Sequence, residues 1–203
     1  MNARDLGGLP TADGRVTRRG ALVRCESVDH LSPAGWEALR AYGVRTIIDL
    51  RNDDERGEPG EGVETVHIPL DGLDDDPKFW GDWMHGPQFG TPLYYGPFVE
   101  RFPERLDWVL DAIERAEPGG VLFHCVGGRD RTGLVATAAL AVAGVPPELI
   151  ADDYVRGAEK ARTHDPMLEE FLAERGTSAR ELVMELAAGF DFDRPALRDR
   201  LVV

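Results

Sequence analysis

Two cysteines in a chain of 203 residues leave no disulfide framework, so the fold has to be held by its core and a reducing compartment is expected. Excess basic charge is also missing. The net charge is −14, which argues against nucleic acid as a partner and against stable association with anionic membrane. The apolar stretch Leu134 to Val145 is far too short to span a bilayer and reads as a buried core helix. The start, Met1-Asn2-Ala3-Arg4-Asp5, lacks the apolar centre of a signal peptide. A cytoplasmic location is therefore expected, with export by a route that needs no cleaved signal left open. No internal repeat, low-complexity tract or linker divides the sequence, and its length suits one domain over 1–203. No His, Cys and carboxylate set stands at metal-ligand spacing, so neither a metal nor another cofactor is expected.

What is present is an alternation of short apolar runs and amphipathic stretches. Ala21 to Cys25, Val44 to Leu50 and Val63 to Leu70 read as strands, the last broken by Asp71-Gly72. Ser32-Pro33 has the form of an N-cap followed by proline at the first helical position. Trp36, Leu39 and Tyr42 then share one face before Gly43 stops the helix. A longer helix begins at Pro103 with Leu106, Val109, Leu110 and Ile113 on one side, and Pro118-Gly119-Gly120 ends it. Another starts at Pro146-Pro147, followed by Met167 to Glu174, Ser178 to Ala188, and a last turn or two at Arg194 to Leu201. Strands alternating with helices imply an α/β fold, with a mostly parallel central sheet of about four to five strands flanked by helices. Asn52 to Gly62 is acidic and glycine-rich and reads as a solvated loop. Pro77 to Pro97 is the least regular part, dense in Phe79, Trp80, Trp83, Phe89, Tyr94 and Tyr95. It suits a lid or substrate-facing flap; an insertion with its aromatics folded into the core fits equally well.

The chemistry concentrates in Val121-Leu122-Phe123-His124-Cys125-Val126-Gly127-Gly128-Arg129-Asp130-Arg131-Thr132-Gly133. An apolar run turns through two glycines into a helical pattern. Helix N-termini carry unpaired N–H groups and the positive end of the dipole, so the turn is an anion site in which loop N–H groups can nest a phosphate. A cation or helix end beside a cysteine favours thiolate over thiol, and Arg131 adds a planar fork for two phosphate oxygens. One loop thus supplies Cys125 as nucleophile and Arg131 as clamp, with Val126, Gly127, Gly128, Arg129 and Asp130 around the phosphate. The competing reading is a buried cysteine before a glycine turn. Cys25 reads as a small buried side chain, and a resolving partner for Cys125 is the alternative.

Cys125, five intervening residues and Arg131-Thr132-Gly133 resemble the signature loop of cysteine-dependent protein tyrosine phosphatases. The fuller run His124 to Gly133 is most similar to a bacterial branch that includes secreted mycobacterial enzymes with tyrosine and phosphoinositide activity. That branch usually has lysine where Arg129 stands, which weakens any lipid-headgroup preference tied to the lysine. The opening Asn2-Ala3-Arg4-Asp5-Leu6-Gly7-Gly8 and the run Asp49-Leu50-Arg51 also resemble it. The resemblance implies an Arg4–Asp5 tie under the sheet, where the residues alone allow a solvated arm. It implies Asp49 and Arg51 as supports of the loop, where the residues alone allow a surface ion pair nearly as well. It further implies a metal-independent hydrolase acting on phosphotyrosine, on phosphoserine or phosphothreonine, or on phosphoinositide, with a phosphorylated protein or small phosphomonoester as partner.

In the expected reaction Cys125 attacks phosphorus and water hydrolyses the phosphocysteine. Thr132 donates its hydroxyl to the thiolate, and His124 is an orienting neighbour. The acid for the leaving oxygen is Asp130 by resemblance to the bacterial branch, with Asp71, by analogy with the mobile aspartate loop of classical tyrosine phosphatases, as second candidate. A structural Asp130, salt-bridged within the loop, is the competing reading. Two other functions are weighed: a catalytically silent phosphate-binding module, and a rhodanese-type sulfurtransferase. The intact set of Cys125, Asp130 and Arg131 counts against the first. The Arg131-Thr132-Gly133 passage into the helix counts against the second.

Overall fold

In the computed structural model, which describes residues 2–57, 62–160 and 166–203, the sheet is built around the run that leads into the cysteine loop. That run is β5 (Gly120–His124), every residue of it buried. β2 (Leu22–Cys25) and β3 (Val44–Asp49) lie parallel to it on either side, with Val23 opposite Leu122 and Ile48 opposite Phe123. β4 (Glu64–His67) extends the parallel set beside β3, and β1 (Arg4–Asp5) adds a short antiparallel edge to β2. The order is β1-β2-β5-β3-β4. This is the expected mostly parallel α/β sheet, and sheets of that kind need both faces covered.

Alternation along the strands sorts the side chains into two cores. Leu122 joins Val23, Cys25, Val28, Val44 and Ile47 in the smaller one, packed against Trp36 and Leu39 of α1 (Pro33–Tyr42). The Ser32 hydroxyl caps α1 by accepting from Gly35 N, and Gly43 closes it at φ 102°. Val121 and Phe123 belong to the larger core. This one takes in α4 (Pro103–Arg115), α5 (Asp130–Ala143), α6 (Pro147–Lys160), α8 (Ala179–Gly189) and α9 (Pro195–Leu201), with α7 (Pro166–Ala173) beside them. From Thr132 to Leu140 α5 is buried without a break, which is why its sequence shows no polar stripe. Each large side chain buried this fully contributes about 1.5–3 kcal/mol. Among the described residues no helix is long and apolar enough to cross a membrane.

Three expectations change. Pro77 to Pro97 is more regular than its sequence suggests: it forms α2 (Pro77–Met84), capped by Asp76, then a 3-10 turn at Pro92–Tyr94 and the start of α3 (Tyr95–Arg101). Trp80, Tyr94 and Tyr95 lie in the large core beside Phe98, so most of its aromatics are structural; Phe89 is 43% exposed. Tyr42 leaves the apolar face expected of it, and its hydroxyl donates to Asp5. Arg4 is tied not to Asp5 but to Asp153 of α6, 149 residues away, at 2.9 Å. Asp5 instead accepts from the backbone N–H groups of Gly7 and Gly20.

Candidate active site

The chain leaves β5 at His124 and turns through Cys125 to Arg129 into α5, so the loop lies at the carboxyl end of the central strand. Gly128 has φ 66°, and a Cβ there would stand 2.6 Å from Glu26 N and 2.7 Å from the Cys25 carbonyl oxygen. Only glycine lets the loop lie this close to the end of β2. The N–H groups of Val126, Gly127 and Gly128 donate to no protein acceptor among the described residues. Together with the first turn of α5 they form a concave set of donors.

A cavity of about 380 Å³ opens in front of this loop. Cys125 lines it and is only 3% exposed, and the Thr132 hydroxyl donates to its Sγ at 3.1 Å. Arg131, from the first turn of α5, reaches the same cavity. Both of its Nη atoms donate to the Glu55 carboxylate, Nη2 at 2.8 Å, and its Nε lies 3.3 Å from Asp71 Oδ2. Burial opposes the Arg131 charge, but these two carboxylates outweigh it and hold the guanidinium above its ordinary pKa. Arg129 is buried, and its Nε donates to Asp130 Oδ1 at 3.0 Å.

Both candidate acids face the cavity. Burial pushes Asp71 up to about 6, against the pull of Arg131. Burial also raises Asp130, here against Arg129 and Arg131. The Tyr95 hydroxyl donates to the Asp130 carbonyl at 2.7 Å and fixes this end of the loop to the core. His124 lies behind the loop, 1% exposed, with Nδ1 3.2 Å from the Cys125 carbonyl oxygen. Burial holds the imidazole below its ordinary pKa despite Asp49 at 3.9 Å, so it is neutral near pH 7.

Glu55 is the functional-looking residue that the sequence reading missed, because it stands in an acidic run read as solvated. Asn52 and Glu55 form a capping box around a 3-10 turn, and the Asn52 N–H donates to Glu55 Oε2 at 2.9 Å. Arg51 Nη1 donates to the Glu55 carbonyl at 3.1 Å. Burial works to raise Glu55, but the Arg131 and Asn52 hydrogen bonds prevail and hold it below the ordinary carboxylate value. The Asn-x-x-Glu spacing directly after a strand is the signal that could have found it. Residues 58–61 of the same run lie outside the described residues.

Asp49 and Arg51 are a buried pair rather than a surface one, joined twice at 2.9 Å, from Nε to Oδ1 and from Nη2 to Oδ2. Arg51 also donates to Ser27 Oγ, next to the Ser27 N–H that holds the Val126 carbonyl at 2.9 Å. Cys25 is free, buried in the small core while Cys125 lines the large one, and burial pushes its thiol up to about 12.

A cysteine held by a threonine hydroxyl, a donor loop at a helix end and an arginine thus meet in one cavity of an α/β fold. The sequence profile of the tyrosine phosphatase family matches residues 1–197, and the chain belongs to that family. It is 32% identical over 170 residues to a Cupriavidus necator protein whose name places it with the tyrosine-protein phosphatases, covering 78% of this chain and 61% of that one. Against a tyrosine-protein phosphatase of Nostoc commune it is 32% identical over 154 residues, covering 68% of this chain and 48% of that one. Against the triple specificity protein phosphatase PtpB of Mycobacterium tuberculosis it is 26% identical over 206 residues, covering 86% and 72%. The chain thus spans 61% and 48% of the first two relatives' own lengths.

Proposed function

We propose that this chain is a cysteine-based phosphomonoester hydrolase acting on phosphotyrosine through a phosphocysteine at Cys125. The observation that carries the reading is the Thr132 hydroxyl on Cys125 Sγ, at the mouth of a donor loop whose helix brings Arg131 into the same cavity. In the first step the sulfur forms a bond to phosphorus while the phosphorus–oxygen bond to the aryl group breaks. Arg131 and the N–H groups of Val126 to Asp130 stabilise the equatorial oxygens as charge shifts. Asp130 gives its proton to the leaving oxygen. In the second step water attacks phosphorus, passing a proton to the Asp130 carboxylate left by the first step. The phosphorus–sulfur bond breaks to release a thiolate, to which Thr132 donates. A second assignment of the acid is Asp71, which lines the same cavity and which burial pushes up to about 6, so that it too holds a proton over a wider range of pH than an ordinary aspartate.

The walls support an aryl substrate. Leu73, Met84, Phe89 and Tyr94 line one side of the cavity, and Phe89 stacks on Tyr94 at a centroid distance of 6.4 Å. Glu55, Asp71 and Asp130 crowd the same cavity with Arg129 and Arg131, leaving little positive charge for a second phosphate. Phosphotyrosine therefore comes ahead of a phosphoinositide headgroup. The test is hydrolysis of an aryl phosphate by purified protein without added metal, beside Cys125→Ser. Turnover in the parent and none in the variant is expected. No turnover in either, with inorganic phosphate still bound, would make the chain a silent binding module.

A further inference from the structure

A donor loop holds phosphate only if its N–H groups point into the cavity. A trans peptide sets its C=O and N–H antiparallel, so whatever grips a loop carbonyl from behind aims the next residue's N–H forward. Two loop carbonyls are gripped in this way. The Val126 carbonyl accepts from the Ser27 N–H at 2.9 Å, which turns the Gly127 N–H toward the cavity. The Gly128 carbonyl accepts from Arg24 Nη2 at 2.9 Å, which does the same for the Arg129 N–H.

The second grip is unusual in being a charged side chain in the core. Arg24 stands on β2 and is 1% exposed. Its other nitrogen, Nη1, donates to Asp153 Oδ2 at 2.8 Å, and Arg4 Nε donates to Asp153 Oδ1 at 2.9 Å. Burial works to raise Asp153, but the two guanidiniums hold it below the ordinary carboxylate value, so it stays charged. The opening through which both arginines pass is kept clear by Gly157 on α6, where a Cβ would stand 2.9 Å from Arg24 Nη2 and 3.0 Å from Arg4 Nη2. Burying a charge this deeply is costly unless it is paired and its hydrogen bonds are made. The bond that Asp153 does not account for goes to the phosphate loop.

We propose that Arg24, fixed by Asp153, is a positioning residue for phosphate: it pins the Gly128 carbonyl and thereby aims the Arg129 N–H at the phosphate oxygens. This rests on the reading of the loop as a phosphate site. Arg24 does not touch the substrate. Its loss costs loop order rather than chemistry, so affinity for free phosphate and turnover fall together.

The experiment compares the parent, Arg24→Met, Arg24→Lys and Asn2→Ala, each checked for folding by thermal melting. Asn2 anchors the same N-terminal arm to the Gly157 carbonyl at 3.0 Å but does not reach the loop, so it controls for general loosening. The readouts are aryl phosphate kinetics, inhibition by inorganic phosphate, and the shift of the Arg129 amide proton when inorganic phosphate is added. In Arg24→Met we expect kcat/KM to fall about tenfold or more, since one aimed donor is lost. Phosphate affinity should weaken with it, and the Arg129 amide shift should shrink. Arg24→Lys keeps the charge, but its single nitrogen cannot span Asp153 and the Gly128 carbonyl as the two Nη atoms do. It should therefore fall between Arg24→Met and the parent, and Asn2→Ala should match the parent. Folded Arg24→Met with parental phosphate binding and an unchanged Arg129 shift would overturn the proposal. If Arg24→Met does not fold, Arg24→Lys carries the test: parental values in all three readouts would overturn it. A parent that binds no phosphate would instead sink the reading of the site.

Discussion

Asp71 carries a charge at neutral pH that its surroundings oppose, which makes Asp71→Asn the most informative single substitution for the electrostatics of the site. Burial raises Asp71 from 3.8 to about 6, even with Arg131 Nε 3.3 Å away. In the unfolded chain the group ionises near its ordinary value. Between the two values the folded chain therefore binds more protons than the unfolded one, and this group's contribution to stability falls as pH rises. The contribution is complete below the unfolded value and lost above about pH 6. A rise of roughly two units at 1.36 kcal/mol each gives about 3 kcal/mol as an upper bound. Asparagine keeps the shape without the charge, so Asp71→Asn should be more stable than the parent at about pH 7.5 by about 1–3 kcal/mol. For a domain of this size that is a melting temperature higher by roughly 2–12 °C. Near pH 4.5 the parent's Asp71 is mostly protonated and the advantage should largely vanish. The assay is thermal unfolding of both proteins by circular dichroism at the two pH values. The difference between the differences isolates Asp71 together with its coupling to Glu55 across Arg131, because Asp49 and Asp153, held low by other arginines, titrate alike in both proteins. Equal differences at the two pH values, or a variant less stable at the higher one, would refute the reasoning.

Three further predictions follow from the same geometry. Asp130→Ala should lower aryl phosphate turnover by at least about tenfold, as expected for loss of a general acid, and a drop confined to Asp71→Ala would move that role to Asp71. Glu55→Gln removes the charge that holds both Arg131 Nη atoms. It should lower kcat/KM by about tenfold through misplacement of the guanidinium. The Glu55 side chain is 29% exposed, so stability should change by less than about 1 kcal/mol in the same thermal assay. Gly128→Ala must take a left-handed backbone and push on the end of β2. It should cost about 1–3 kcal/mol in denaturant unfolding and abolish turnover.

The strand, loop and helix around Cys125 were legible in the sequence because the whole unit is local. An apolar run, a glycine turn and a helical run stand within a few residues of one another, and the short-range rules suffice. The caps of α1 were legible for the same reason: Ser32, Pro33 and Gly43 each act on their own turn. What could not be read depends on distance. The Asn-x-x-Glu spacing marks Glu55 locally, but its reach to Arg131 across 76 residues, like that of Arg4 to Asp153 across 149, follows no spacing rule. The aromatic stretch left two readings open, a lid or an insertion folded into the core. Composition alone does not choose between them; α2, the 3-10 turn at Pro92–Tyr94 and α3 turn Trp80, Tyr94 and Tyr95 into the large core, with Phe79 packed against it. Only Met84 and Phe89 of that segment are left exposed at the cavity wall.

The most direct test of the account is to mix the protein with an aryl phosphate, quench in acid within the first turnovers, and examine the Cys125 peptide by mass spectrometry. The account predicts that the peptide gains the mass of one phosphoryl group, that the label is absent in Cys125→Ser, and that it persists longer in Thr132→Val. Steady hydrolysis by the parent with an unmodified Cys125 at every quench time, matched by Cys125→Ser, would contradict it.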